Sequence, residues 1–169
     1  MTQSRLFDFP RWPSKGTRRK LEALLLDELE THGMPDGLLQ PPSQPPPQLF
    51  EAVEQFNNGL YWECHETLEE VWLETLYPVR VFYHAIIKAS VGFHHMNRHN
   101  RHGARVKLGD AVRLLPFFQP QFLRVRTDAL LRDASTWLES LGNTDHVDWT
   151  ALDALSKPII RIVDETVQV

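Results

Sequence analysis

The run Phe56-Asn57-Asn58-Gly59-Leu60-Tyr61-Trp62-Glu63-Cys64-His65-Glu66-Thr67-Leu68-Glu69-Glu70-Val71-Trp72 decides how the rest of the chain is read. Asn58-Gly59 is a turn signal, because glycine tolerates positive φ and asparagine nearly does. No proline or glycine recurs until Pro78, whose ring pushes the preceding residue out of the α region, so one helix is predicted from about Leu60 to Leu76. At about 100° per residue, Leu60, Tyr61, Cys64, Leu68, Val71 and Trp72 fill one apolar arc, and Glu63, Glu66, Glu70 and Glu74 gather opposite. Two residues break this division. His65 sits at the edge of the arc, beside Trp72 and Leu76. Glu69 falls between Leu76 on one side and Trp62 and Leu73 on the other. An ionised carboxylate with apolar flanks is costly unless paired, so Glu69 is expected to meet a partner on another helix. His65 and Glu69 are also one turn apart and can touch each other.

Working outward, Leu49, Phe50, Val53 and Phe56 mark a short helix that pairs with the central one across Asn58-Gly59. After Pro78 a third helix runs from Val79 to about His99, burying Phe82, Tyr83, Ile86, Ile87, Val91 and Phe93. His94 falls inside that arc and Arg98 near its edge. His84, Lys88, His95 and His99 make a separate polar stripe, read as a solvated face. Asn100-Arg101-His102-Gly103 reads as a turn before a fourth helix, from Ala104 to the stop at Pro116. The fold class is therefore all-α: a multihelical bundle of helical hairpins, tetratricopeptide-like helix-turn-helix units without a strict repeat, and no significant sheet.

The remainder divides around this core of residues 49–118. Residues 1–16 read as an irregular arm whose Phe7, Phe9 and Trp12 pack on the body. Residues 17–33 form a peripheral helix capped by Thr17, with Leu21, Leu24, Leu25 and Leu29 at helical spacing and Gly33 closing it. Residues 34–48 hold Pro41-Pro42-Ser43-Gln44-Pro45-Pro46-Pro47, an extended connector. Residues 119–169 are expected to add helices over Gln121–Leu141, from an Asp148 cap, and from Pro158, the last favoured over a terminal strand because no other strand is evident to pair with it.

The bulk properties narrow the class. At 169 residues the chain suits a single domain with a sizeable core, and its net charge of −4 does not favour a polyanion partner. Cys64 is the only cysteine, which suits a reducing compartment. The opening residues lack the apolar run of a signal peptide, and no stretch suits a bilayer span, so a soluble cytoplasmic protein without membrane partners is expected.

The candidate site is the polar cluster where the first and second hairpins meet: His65, Glu66, Glu69, His94 and Arg98, with Lys88 from the stripe. One reading is structural, polar pairs that lock helix to helix. The other takes His65-Glu66-Thr67-Leu68-Glu69 as H-E-x-x-E, like the zinc-protease motif H-E-x-x-H with its second histidine replaced. His65, Glu69 and His94 would then ligate a divalent metal, zinc or manganese, and Glu66 would be the base that activates its water. Cys64 is no candidate nucleophile partnered by His65, since adjacent helix residues point about 100° apart.

The pattern Phe56-Asn57-x-Gly59-x-Tyr61-x-Glu63-x-His65-Glu66-x-Leu68-Glu69-x-x-Trp72 resembles the signature of the helical family called domain of unknown function 309. A looser block follows it: Ala85-Ile86-Ile87-Lys88-Ala89, then His94 or His95, then Asn100-x-x-Gly103-Ala104. The resemblance covers about Leu49 to Leu115. It implies a small all-α domain and no established reaction, although the label metal-dependent hydrolase has been attached to such sequences. Two functions are carried forward. The first is a non-catalytic binding or assembly module for a protein, a peptide or a second copy. The alternative is a metal-dependent hydrolase. Nucleic-acid binding through Arg98, Arg101, Arg105 and Lys107 is set aside, because the rest of the chain is acidic.

Overall fold

The computed structural model describes residues 15–37, 39–142 and 146–164, with the backbone alone for residues 15–19 and 21. The aromatic arm expected over residues 1–16 therefore lies outside the described residues up to residue 14. The helices are α1 (Lys15–His32), α2 (Pro47–Asn57), α3 (Tyr61–Glu74), α4 (Val79–Asn97), α5 (Arg101–Leu114), α6 (Thr127–Ser140) and α7 (Trp149–Asp153), with a 3-10 turn at Leu115–Phe118. Among the described residues there is no sheet, only the isolated bridges Phe122–Val125 and Val125–Ile162. The fold is all-α and multihelical. No helix among the described residues is long and apolar enough to cross a membrane.

α4 is the axis. Its apolar side chains, Phe82, Tyr83, Ile86, Ile87 and Phe93 among them, are buried. α3 lies antiparallel against it, pairing Trp62 with His94, Cys64 with Ser90 and Trp72 with His84. α5 lies antiparallel on another side, pairing Lys88 with Asp110 and His95 with Gly103. α2 closes on α3 through the turn at Gly59, whose φ of +77° suits glycine. Pro47 opens α2, where a missing N–H costs nothing, and Pro46 before it is extended (φ −66°, ψ 147°).

Several boundaries differ from expectation, each for a local reason. α1 starts at Lys15, ahead of Thr17, and it turns Leu24 outward (53% exposed) while burying Leu25 and Leu29. α5 starts at Arg101, because the Asn100 side chain accepts a hydrogen bond from the Gly103 N–H at 3.0 Å and caps the helix. Gly103 is thus inside the helix. Its smallness serves packing, since a Cβ there would lie 2.7 Å from the His95 ring. α6 is shorter than Gln121–Leu141, because Phe122 and Val125 exchange backbone hydrogen bonds at 2.9 Å across Leu123 and Arg124, both at positive φ. Among the described residues no helix follows Pro158. Residues 158–163 are extended, and Val163 N–H donates to the Arg124 carbonyl at 2.7 Å. Their β-branched side chains favour that conformation, and the partner comes from the irregular 122–125 segment. Asn57 holds the same segment to the core, donating to the Ile160 carbonyl (2.9 Å) and accepting from the Ile160 N–H (2.7 Å).

α4 and α5 come close enough to use a second glycine. A Cβ on Gly92 would stand 2.7 Å from the Leu108 side chain and 3.1 Å from its backbone nitrogen, whereas one on Gly109 would meet nothing within 4 Å. Alanine favours a helix over glycine by about 1 kcal/mol, and overpacking a core costs about 1–3 kcal/mol. Gly92→Ala is therefore expected to destabilise the protein despite its better propensity, and Gly109→Ala to stabilise it by about 0.5–1 kcal/mol. Urea unfolding at unchanged m-value checks both signs.

Candidate functional site

On α3, His65 is brought against Glu69 and Trp62. Its Nδ1–H donates to the Trp62 carbonyl at 3.1 Å, and its Nε2 stands 3.5 Å from Glu69 Oε1. The indole of Trp62 touches two imidazoles, with centroids 4.5 Å from His65 and 5.1 Å from His94. Burial, then the charges of Arg98 and His65, pulls the His94 pKa below its ordinary value. For His95 the causes are burial, then His94, Lys107 and Arg98. The Asn100 amide donates to His95 Nδ1 at 3.2 Å, which suits a neutral ring protonated at Nε2.

The cluster is not buried as expected. The Glu69 side chain is 49% exposed and its ion-pair partner is His65 on its own helix, not a group on a neighbour. Glu66 and Arg98 are exposed, and His94 is half-buried. The physical reason is that, among the described residues, α2 and α4 take two sides of α3 and leave a third uncovered. Trp62, Glu66, Glu69 and Leu73 all lie on that outward side, so Glu69 keeps its hydration among apolar neighbours that are themselves exposed. Among the described residues no group of three or more His, Cys, Asp or Glu side chains is arranged to hold a metal ion. His65 and Glu69 are adjacent, but His94, the expected third ligand, packs its ring on Trp62. Cys64 is fully buried with its sulfur 3.1 Å from Ser90 Oγ, and burial pushes its thiol up to about 12, so it remains protonated.

Part of the stripe expected to be solvated is instead largely buried, at His84 and Lys88, whereas His99 is exposed as expected. His84 Nδ1 pairs with Glu22 of α1, both side chains largely buried. Lys88, grouped by sequence with the His65 cluster, pairs instead with Asp110 of α5 at 3.1 Å. His99 Nε2 meets Asp153 at 2.8 Å and stacks on Trp149, which docks α7. One turn before His84, Arg80 is 3% exposed with its guanidinium 4.1 Å over the Trp72 ring. Glu22, His84, Lys88, Asp110 and Arg113 line a small cleft of about 200 Å³ between α1, α4 and α5. Glu22, Asp110 and Asp153 were missed. A signal for Glu22 existed: it stands on the same stripe of α1 as Leu25, Leu26 and Leu29. The other two carry none, because their partners Lys88 and His99 lie on other elements, which the pattern of a single helix does not record.

A larger groove of about 750 Å³ opens at the carboxyl end of α3, between Pro41, Pro42 and Pro46 of the connector and Val71, Leu76 and Tyr83.

Residues 49–106 match the family model described as Domain of unknown function (DUF309). The chain resembles that family over α2, α3, α4 and the opening of α5. No curated protein and no solved structure matches the chain. The DUF309 stretch holds His65, Glu66, Glu69, Lys88, His94 and Arg98. Glu22, Asp110 and Asp153 lie outside it, so α1 and α7 attach through carboxylates supplied from beyond the matched segment.

Burial alone would raise the Glu22 pKa, but the hydrogen bond from His84 and the charges of His84, Lys88 and Arg80 outweigh it and hold it below the ordinary 4.5. A depressed carboxylate contributes stability above its unfolded-state pKa and loses it as pH falls through the folded value. The attachment of α1 is thus expected to weaken below about pH 4.5. Glu22→Gln should be less stable than wild type at pH 7, and the gap should close in acid. Thermal unfolding of both proteins across this range checks it, and a gap independent of pH would contradict it.

Proposed function

We propose that this protein is a helical binding module, with no reaction of its own, that docks a helix of another protein on the outward side of α3. The observation that carries this reading is that Trp62 and Leu73 stand 45% and 53% exposed on that side, with Leu76, just past the helix end, also 53% exposed. Large apolar side chains exposed on one helix face gain from being covered, and such a face suits a second helix. The acid–base groups within the fold are engaged with one another, Glu22 with His84 and Lys88 with Asp110, and Cys64 is a buried neutral thiol.

The test uses the full chain as bait, beside Leu73→Ser/Leu76→Ser with unchanged thermal unfolding. Wild type is expected to retain a partner that, once purified, binds the variant at least about tenfold more weakly. Wild type that sediments as a monomer and retains nothing, or a variant that binds equally, contradicts the reading. The metal-dependent hydrolase that H-E-x-x-E suggests makes the opposite forecast for one measurement. It requires zinc or manganese near one equivalent in protein purified without a metal-affinity tag, where a docking module carries neither and gains no thermal stability from adding them.

A further inference from the structure

The spacing along the outward side of α3 says more about what it docks, granted the reading above. Trp62, Glu66, Glu69 and Leu73 follow one another at intervals of four, three and four residues, and Leu76 is exposed just past the helix end. That is the 3.5-residue spacing of a coiled-coil seam, in which alternate contact positions face a partner helix. Here the seam is apolar at its ends and acidic in its middle. All of these residues are exposed. Among the described residues Glu66 makes no ion pair, and Glu69 meets only His65, at 3.5 Å. The flanks add Glu63, Glu70 and Glu74, all exposed, and α3 contains no lysine or arginine.

We infer that the occupant is an amphipathic basic helix of a different protein, with apolar residues at i and i+11 and lysine or arginine at i+4 and i+7. Its end residues cover Trp62 and Leu73, about 16 Å apart along the axis. Its basic residues meet Glu66 and Glu69, as polar seam positions do when they select a partner. The apolar end near Leu73 continues through Leu76 into the 750 Å³ groove, which gives the occupant room for one large side chain beyond the helix. A second copy of this chain fits poorly. Two such faces laid antiparallel about their midpoint bring Glu66 against Glu69, and laid parallel they bring each glutamate against its own copy. Like charges at a covered seam disfavour both.

The experiment titrates the full-length protein with a synthetic helix carrying leucine at i and i+11 and lysine at i+4 and i+7, beside one with glutamate at those central positions. The lysine helix is expected to bind wild type, more weakly as salt rises, and the glutamate helix at least about tenfold more weakly than the lysine helix. The charge-reversed variant Glu66→Lys/Glu69→Lys, which changes only exposed positions, is expected to invert that preference. Equal binding of the two helices to wild type, or no inversion in the variant, overturns the inference. So does concentration-dependent dimerisation abolished by Leu73→Ser, which would make a second copy the occupant. Should neither helix bind while Leu73→Ser/Leu76→Ser still loses a natural partner, the docking surface stands and the basic-helix class falls.

Discussion

Burial of α4 on several sides at once is the constraint from which the rest follows. A helix that is apolar on one stripe can leave its polar residues to water. One enclosed by α1, α3 and α5 must satisfy them within the protein, since an unpaired buried charge costs several kcal/mol, roughly 3–5 when one partner of a pair is removed. Several polar groups of α4 are met by different neighbours: His84 by Glu22, Lys88 by Asp110, Ser90 by Cys64 and His95 by Asn100, while Arg80 lays its guanidinium over the Trp72 ring. These contacts decide which face of each surrounding element turns inward. They also require α5 to come close, which Gly92 and Gly103 permit by leaving room for Leu108 and His95.

α3 is the opposite case. Among the described residues it is held from two sides, by Tyr61, Cys64 and Leu68 inside and the Phe56–Tyr61–Phe93 ring cluster at its start. Its remaining side keeps tryptophan, leucine and glutamate in water. The same protein thus contains an interior in which polar groups are matched and an outer helix face in which apolar groups are not. The contrast is what separates the structural chemistry of the Glu22–His84 and Lys88–Asp110 pairs from the surface proposed for docking.

Most of the helices were legible before any coordinates. The Asn58-Gly59 turn, the stop at Pro78, the closing Gly33 and the Asp148 cap each rest on backbone chemistry within a few residues, and local signals of that kind survive folding. Asp148 accepts from the Ala151 N–H at 3.0 Å, and Gly33 has φ +75°. What the sequence misled about was which side of a helix is covered. The flanks of Glu69 were read as a core because Trp62, Leu73 and Leu76 are large and apolar, yet no described helix comes to cover them. The stripe of His84, Lys88, His95 and His99 reads as solvated because it is polar; that holds for His99, yet His84 and Lys88 are largely buried because their partners arrive from α1 and α5. Hydrophobic pattern along one helix does not record the arrival of carboxylates from tens of residues away. Gly103 failed differently: a glycine required for close packing looks, in sequence, like one required for a turn.

The division between a matched interior and an unmatched α3 face can be read directly by hydroxyl-radical footprinting of the isolated full-length protein at a concentration where it is monomeric. Trp62, Leu73 and Leu76 are predicted to oxidise readily while Phe56, Phe82 and Phe93, all fully buried, do not. Protection of Trp62 and Leu73 equal to that of the core phenylalanines would show that the chain already covers this face, and would contradict the account.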